Sequence, residues 1–79
     1  MPSLNKDQKW KYWNVRLWLN NDEGLYRMAR EYVRRNPDKP GLAALSILED
    51  LHSQGLTKTP DGAIYSVINI RHAIKDMES

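Results

Sequence analysis

The sequence predicts an all-α protein, a compact bundle of about four short helices in a single domain. Three observations carry the prediction. Apolar residues recur at spacings of three and four in four separate segments. Two clusters of turn formers separate the last three segments, Asn36-Pro37-Asp38-Lys39-Pro40-Gly41 and Gly55-Leu56-Thr57-Lys58-Thr59-Pro60-Asp61-Gly62, and a weaker break lies at Asn20-Asn21-Asp22. No two segments alternate with the period of two that paired strands require.

The first helix is expected over about Asp7 to Asn20. Trp10, Trp13, Leu17 and Trp18 fit one helical face, while Tyr12 and Val15 fall on the opposite side. Such a helix is apolar nearly all round. Three Trp and a Tyr within nine residues exceed what one face can bury. The expectation is that the side around Tyr12 and Val15 is exposed for a partner or for a second copy of the chain, with the other aromatics in the core.

The second helix begins at Asn21 or Asp22, either a good N-cap, with acidic residues in its first turn. Leu25, Met28, Ala29, Tyr32 and Val33 form an apolar stripe, and Arg27, Arg30 and Arg34 project from the opposite side. The helix stops near Asn36, before Pro37, with Arg34 and Arg35 at its negative end.

The third helix runs from about Pro40 to Gln54, with Pro40 in the first turn and Gly55 placed to end it in the left-handed conformation. Ala44, Leu45, Ile47, Leu48 and Leu51 share its apolar face, opposite Ser46, Glu49, Asp50 and Ser53.

The fourth helix is expected to open at Thr59-Pro60-Asp61, Thr59 capping and Pro60 at the first helical position. Ile64, Val67, Ile70, Ile74 and Met77 then keep a helical period. The β-branched run Ala63–Ile70 also suits a strand, but it has no partner strand, so helix is the reading adopted. Residues 1–6 are read as a flexible lead.

With 79 residues, the chain forms one domain that buries only about 60–65% of its unfolded surface. Its three Trp and four Tyr, with no Phe, are therefore expected to matter most to the core. There is no Cys, which removes disulfides, thiolate zinc sites and thiol catalysis and favours a reducing cytoplasm or a fold stabilised by oligomerisation. No run approaches the roughly 18 apolar residues of a membrane span, so no membrane association is expected. The net charge is +2, unevenly spread: residues 1–40 hold nine Lys/Arg against five Asp/Glu, and residues 41–79 hold three against five. That asymmetry either steers a charged partner or attracts one half of the chain to the other.

No catalytic set is visible. His52, Ser53 and Asp50 are neighbours on one helix and do not face each other, so no nucleophile, base and orienting group converge. Glu49 and His52 stand three apart, as in di-iron bundles, but the motif occurs once, and no metal or other cofactor is expected. Gly24, Gly41, Gly55 and Gly62 make no phosphate loop.

The sharpest electrostatic feature is the Arg27, Arg30 and Arg34 stripe, extended by Arg16 and Lys11 on the first helix and by Arg35 and Lys39 at the turn. Arg forks suit phosphate and carboxylate alike. A helix-turn-helix reader is disfavoured, because the third helix would present Glu49 and Asp50 to phosphates.

The run Trp13-Asn14-Val15-Arg16-Leu17-Trp18-Leu19-Asn20-Asn21-Asp22-Glu23-Gly24-Leu25-Tyr26 resembles a family of short proteins of unknown function from bacteriophages, prophages and plasmids. The signature is roughly Trp-Asn-Val-x-Leu-Trp-Leu-x-Asn-Asp-Glu-Gly. Thr59-Pro60-Asp61-Gly62 matches more weakly, and Lys9-Trp10-Lys11-Tyr12 departs from the family's Trp-Thr-Asn-Tyr lead-in. The family has no catalytic assignment to carry over. The resemblance implies a mobile-element accessory protein that acts in the cytoplasm of a bacterial host cell and binds a host bacterial protein or complex, such as a CRISPR or other defence system. The lack of a catalytic set in the residues adds the expectation that it is not an enzyme. Its expected contacts are Arg27, Arg30, Arg34, Arg16, Lys11, Tyr12 and Val15. The alternative is a nucleic-acid-binding or transcription-modulating protein that uses the Arg face.

Overall fold

A computed structural model describes residues 6–75. Four helices follow one another: α1 (Lys6–Asn21), α2 (Glu23–Arg35), α3 (Pro40–Ser53) and α4 (Val67–Ile74). α1 packs on α2 and α4, and α3 packs on the same two helices, so the chain closes into an all-α bundle. The described residues contain no strand, only an isolated antiparallel bridge between Lys58 and Ile64. Met77 and residues 1–5 lie outside the described residues; Lys6 already opens α1.

A single residue turns the chain from α1 into α2. The Asp22 amide donates to the Trp18 carbonyl at 3.1 Å, closing α1, and its carboxylate accepts from the Leu25 amide at 3.0 Å, capping α2. α2 ends at Asn36, whose side-chain amide donates to the Tyr32 carbonyl at 2.8 Å. α3 opens on Pro40 and closes with Gly55 at φ +77. The Leu56 amide reaches the Leu51 carbonyl at 2.9 Å and the Gly55 amide the His52 carbonyl at 3.0 Å, the two bonds of a Schellman ending.

The fourth helix does not open at Thr59. It is capped by Ser66, whose hydroxyl accepts from the Asn69 amide at 3.1 Å. Thr59-Pro60-Asp61-Gly62 instead forms a tight turn: the Gly62 amide donates to the Thr59 carbonyl at 2.9 Å and the Thr59 amide to the Ala63 carbonyl at 2.8 Å. Gly62 sits at φ +97, which no helix admits. The β-branched run is accordingly divided. Residues 63–66 are extended, with Ala63 and Tyr65 inward and Ile64 outward, and the helix starts at Val67.

The core consists mainly of small and aliphatic side chains: Val15, Leu19, Ala29, Val33, Ala43, Ala44, Ile47, Leu51, Ala63, Ile70, Ala73 and Ile74, with Tyr65 the one aromatic among them. The α2 stripe faces inward as expected. Two expected orientations are corrected. On α3, Leu45 is exposed and Ala43 is buried in its place. On α1, Asn14, Val15 and Leu19 are buried while Trp13 and Trp10 face out, so the aromatics do not carry the core. The expected exposure of the Val15 side is thereby reversed, because the polar Asn14, fixed inward by partners described next, sets the rotation of α1.

Candidate partner-binding surface

Asn14 is 1% exposed, and both ends of its side-chain amide find partners outside α1. Its amide nitrogen donates to the Asp61 carboxylate at 2.8 Å, and its oxygen accepts from the Thr59 hydroxyl at 2.5 Å. The same Thr59 hydroxyl accepts from the Ala63 amide at 3.0 Å, and Asp61 also accepts from the Trp18 indole nitrogen at 2.8 Å. The turn and α1 are thereby locked together. The donors from Asn14 and then Trp18 hold the Asp61 carboxyl below its ordinary pKa, outweighing the small opposing effect of desolvation. This latch fixes which side of α1 meets solvent.

The solvent side carries Trp10, Trp13, Arg16, Leu17 and Asn20. Trp13 is 56% exposed and Trp10 39%. Trp13, Arg16, Leu17, Asn20 and Asn21 line one shallow depression. At about 100° per residue, Trp13 points roughly 160° away from Val15 and roughly 120° away from Leu19.

The seven residues expected to contact a partner do not form one patch. Val15 is fully buried and offers no contact surface, because the latch turns it inward. Tyr12 is half-buried and stacked on His72 of α4, ring centroids 3.9 Å apart and planes 17° from parallel. Lys11 pairs with Asp7 at 2.9 Å. Arg16 belongs to the α1 depression.

Arg27, Arg30 and Arg34 do stand together, lining an exposed groove on α2 with Glu23, Tyr26 and Glu31. The carboxylates matter. Arg27 pairs with Glu23, Arg35 with Glu31 at 3.0 Å and Arg34 with Glu31 at 3.8 Å. Arg30 donates to the Tyr26 hydroxyl at 3.2 Å. Four guanidiniums against two carboxylates leave a modest positive excess rather than a bare cationic stripe.

On α3, the Asp50 carboxylate accepts from Tyr32 at 2.8 Å and from Gln54 at 2.7 Å, and the Ser53 hydroxyl donates to the Asp50 backbone carbonyl at 2.7 Å. The Asp50 hydrogen bond is the main reason the Tyr32 phenol titrates above its ordinary value. These groups tie α3 to α2. No cluster of three or more metal-ligating side chains occurs among the described residues, and no helix there is long and apolar enough to cross a membrane.

Sequence reasoning missed the Asn14, Thr59, Trp18 and Asp61 latch and the exposure of Trp10 and Trp13. One available signal was Asn14 itself, a polar residue inside an otherwise apolar arc.

Residues 3–79 match the model of a family described only as a family of unknown function, DUF7249. The chain belongs to that family. No curated protein and no solved structure shows significant similarity to it. In this family member, the run from Trp13 to Trp18 and the Thr59–Gly62 turn meet in space.

Proposed function

We propose that the chain is a binding protein that engages another protein through the outer face of α1. The observation that supports this reading is the exposure of Trp13, 56% accessible on the side of the helix turned away from the core, with Trp10, Arg16 and Leu17 around it. Tryptophan and arginine dominate interface hot spots, and a large apolar ring held in water gains free energy when a partner covers it. The resemblance of the Trp13–Tyr26 run to mobile-element proteins supports a host bacterial complex as the partner, a CRISPR or other defence complex among the candidates, inhibited by occupation of its surface. Nucleic-acid binding by the α2 face has less support, since Glu23 and Glu31 stand among the guanidiniums and repel phosphate.

The test is affinity capture from nuclease-treated bacterial lysate with the tagged wild type and a Trp10→Ser/Trp13→Ser variant of unchanged circular dichroism. A complex recovered by the wild type and lost by the variant is the expected result. Equal recovery by both, or recovery that depends on nucleic acid, refutes the reading.

A further inference from the structure

A second surface, on the α3–α4 side, has a chemistry of its own. Pro40, Ile68, Arg71, His72 and Lys75 line a half-open pocket of about 380 Å³. Three of the five carry nitrogen cations or a titratable imidazole, and among the described residues no carboxylate lines the opening. Among the described residues neither Arg71 nor Lys75 has a carboxylate partner, unlike the ion-paired arginines of α2. The pocket is also apolar. Ile68 is 63% exposed, more than any other large aliphatic residue described, and Pro40 lies beside it. The His72 ring is held by its stack on Tyr12, so this wall is ordered from α1. Pro40 opens α3 with no side-chain cap on Lys39, so the positive end of that helix dipole adds to the field of the cations.

We infer that this pocket docks an acidic protein segment that carries an apolar side chain. Charge complementarity selects the acid: a carboxylate pairs with the Arg71 fork and a neighbouring one with the Lys75 ammonium. The exposed Ile68 and the neighbouring Pro40 select the apolar residue, since they set bare hydrocarbon beside the cations and a phosphate group has nothing to place on it. The site lies on α3 and α4 and does not depend on the Trp13 face of α1.

The test uses a fluorescein-labelled decapeptide of Glu and Asp with one central Leu, and the full chain. Anisotropy should show saturable binding that falls at least about tenfold in Arg71→Gln/Lys75→Gln and, separately, in Ile68→Ser, a loss of about 1.4 kcal/mol in each. The same peptide with Ser for Leu should bind correspondingly less. Arg27→Gln/Arg34→Gln, on α2, should bind like wild type. Amide chemical shifts of the unmutated protein give a readout independent of variant folding, with changes expected at Ile68, Arg71 and Lys75. No saturable binding up to about 1 mM, shifts confined to other helices, or affinity untouched by both variants would overturn the proposal. So would a ten-nucleotide oligothymidylate that binds the pocket while the peptide does not.

Discussion

Replacing Asn14 by Ala tests the latch that orients α1. Asn14 is 1% and Thr59 4% exposed, so the 2.5 Å bond between them is shielded from water at both ends. In Asn14→Ala the Thr59 hydroxyl still accepts from Ala63 but has no acceptor for its own proton. Leaving one buried polar group unsatisfied costs about 1–3 kcal/mol. The void left by the amide adds roughly 1 kcal/mol, since the neighbouring backbone of the turn relaxes only in part. The expected loss is therefore about 2–4 kcal/mol, a fall in Tm of roughly 10–25 °C for a domain of this size. Urea and thermal unfolding followed by circular dichroism read both quantities. A cycle with Thr59→Val, which keeps shape and removes the hydroxyl, should show a coupling of at least about 0.5 kcal/mol. A loss under about 0.5 kcal/mol, ordinary for an innocuous surface change, or strict additivity in the cycle, would refute the claim that this bond sets the fold.

Three further outcomes follow from particular residues. Gly55→Ala and Gly62→Ala, at φ +77 and +97, should each lose about 1–2 kcal/mol in urea unfolding, whereas Gly41→Ala, in the first turn of α3 with nothing within 4 Å of the added carbon, should gain up to about 1 kcal/mol. The Asp61 carboxyl titrates lower in the folded chain than in the unfolded one, so its stabilisation is present above the unfolded value near 3.9 and is lost as pH falls through the folded value. Acid titration should therefore destabilise wild type more steeply below about pH 4 than Asp61→Asn, and parallel curves would contradict the assignment. Val15→Ala should cost about 1–3 kcal/mol while Trp13→Ala costs under about 1 kcal/mol in thermal unfolding, and the reverse order would mean that α1 is rotated the other way.

α2 and the two ends of α3 were legible because their local signals agree. α2 has one apolar stripe, an Asp22 cap and a Pro37 stop, and α3 has Pro40 at its start and Gly55 at its end. α4 was misplaced because Thr59-Pro60-Asp61 satisfies every local rule for a helix start. The deciding bond, from Thr59 to Asn14, joins residues 45 apart in sequence, beyond the reach of any local rule. Ser66, an equally good cap three residues before Asn69, took the role. The rotation of α1 was hidden for a related reason: apolar residues at nearly every angle make periodicity silent, and only long-range partners choose among the faces. The Arg stripe on α2 was legible as exposed. Its partial neutralisation was legible too, since Glu23 and Arg27, and Glu31 and Arg35, stand four apart, the spacing at which helix side chains meet.

The placement of the tryptophans bears on function through the size of the core. Ala29 on α2, Ala73 on α4, and Ala43 and Ala44 on α3 are buried, and such small residues let helices approach closely. A space bounded by alanines accepts Val15 and Leu19; forcing an indole into it would overpack the core at a cost of about 1–3 kcal/mol. Rotating α1 by half a turn would also carry the Asn14 amide away from Asp61 and Thr59. Trp10 and Trp13 are thus outside because the core and the latch both exclude them. A polar residue at the more exposed of the two, Trp13, would cost the domain little stability and would lower the risk of aggregation. Their presence on a face that the fold holds in water is what favours a partner for α1 over a purely structural account of its aromatics.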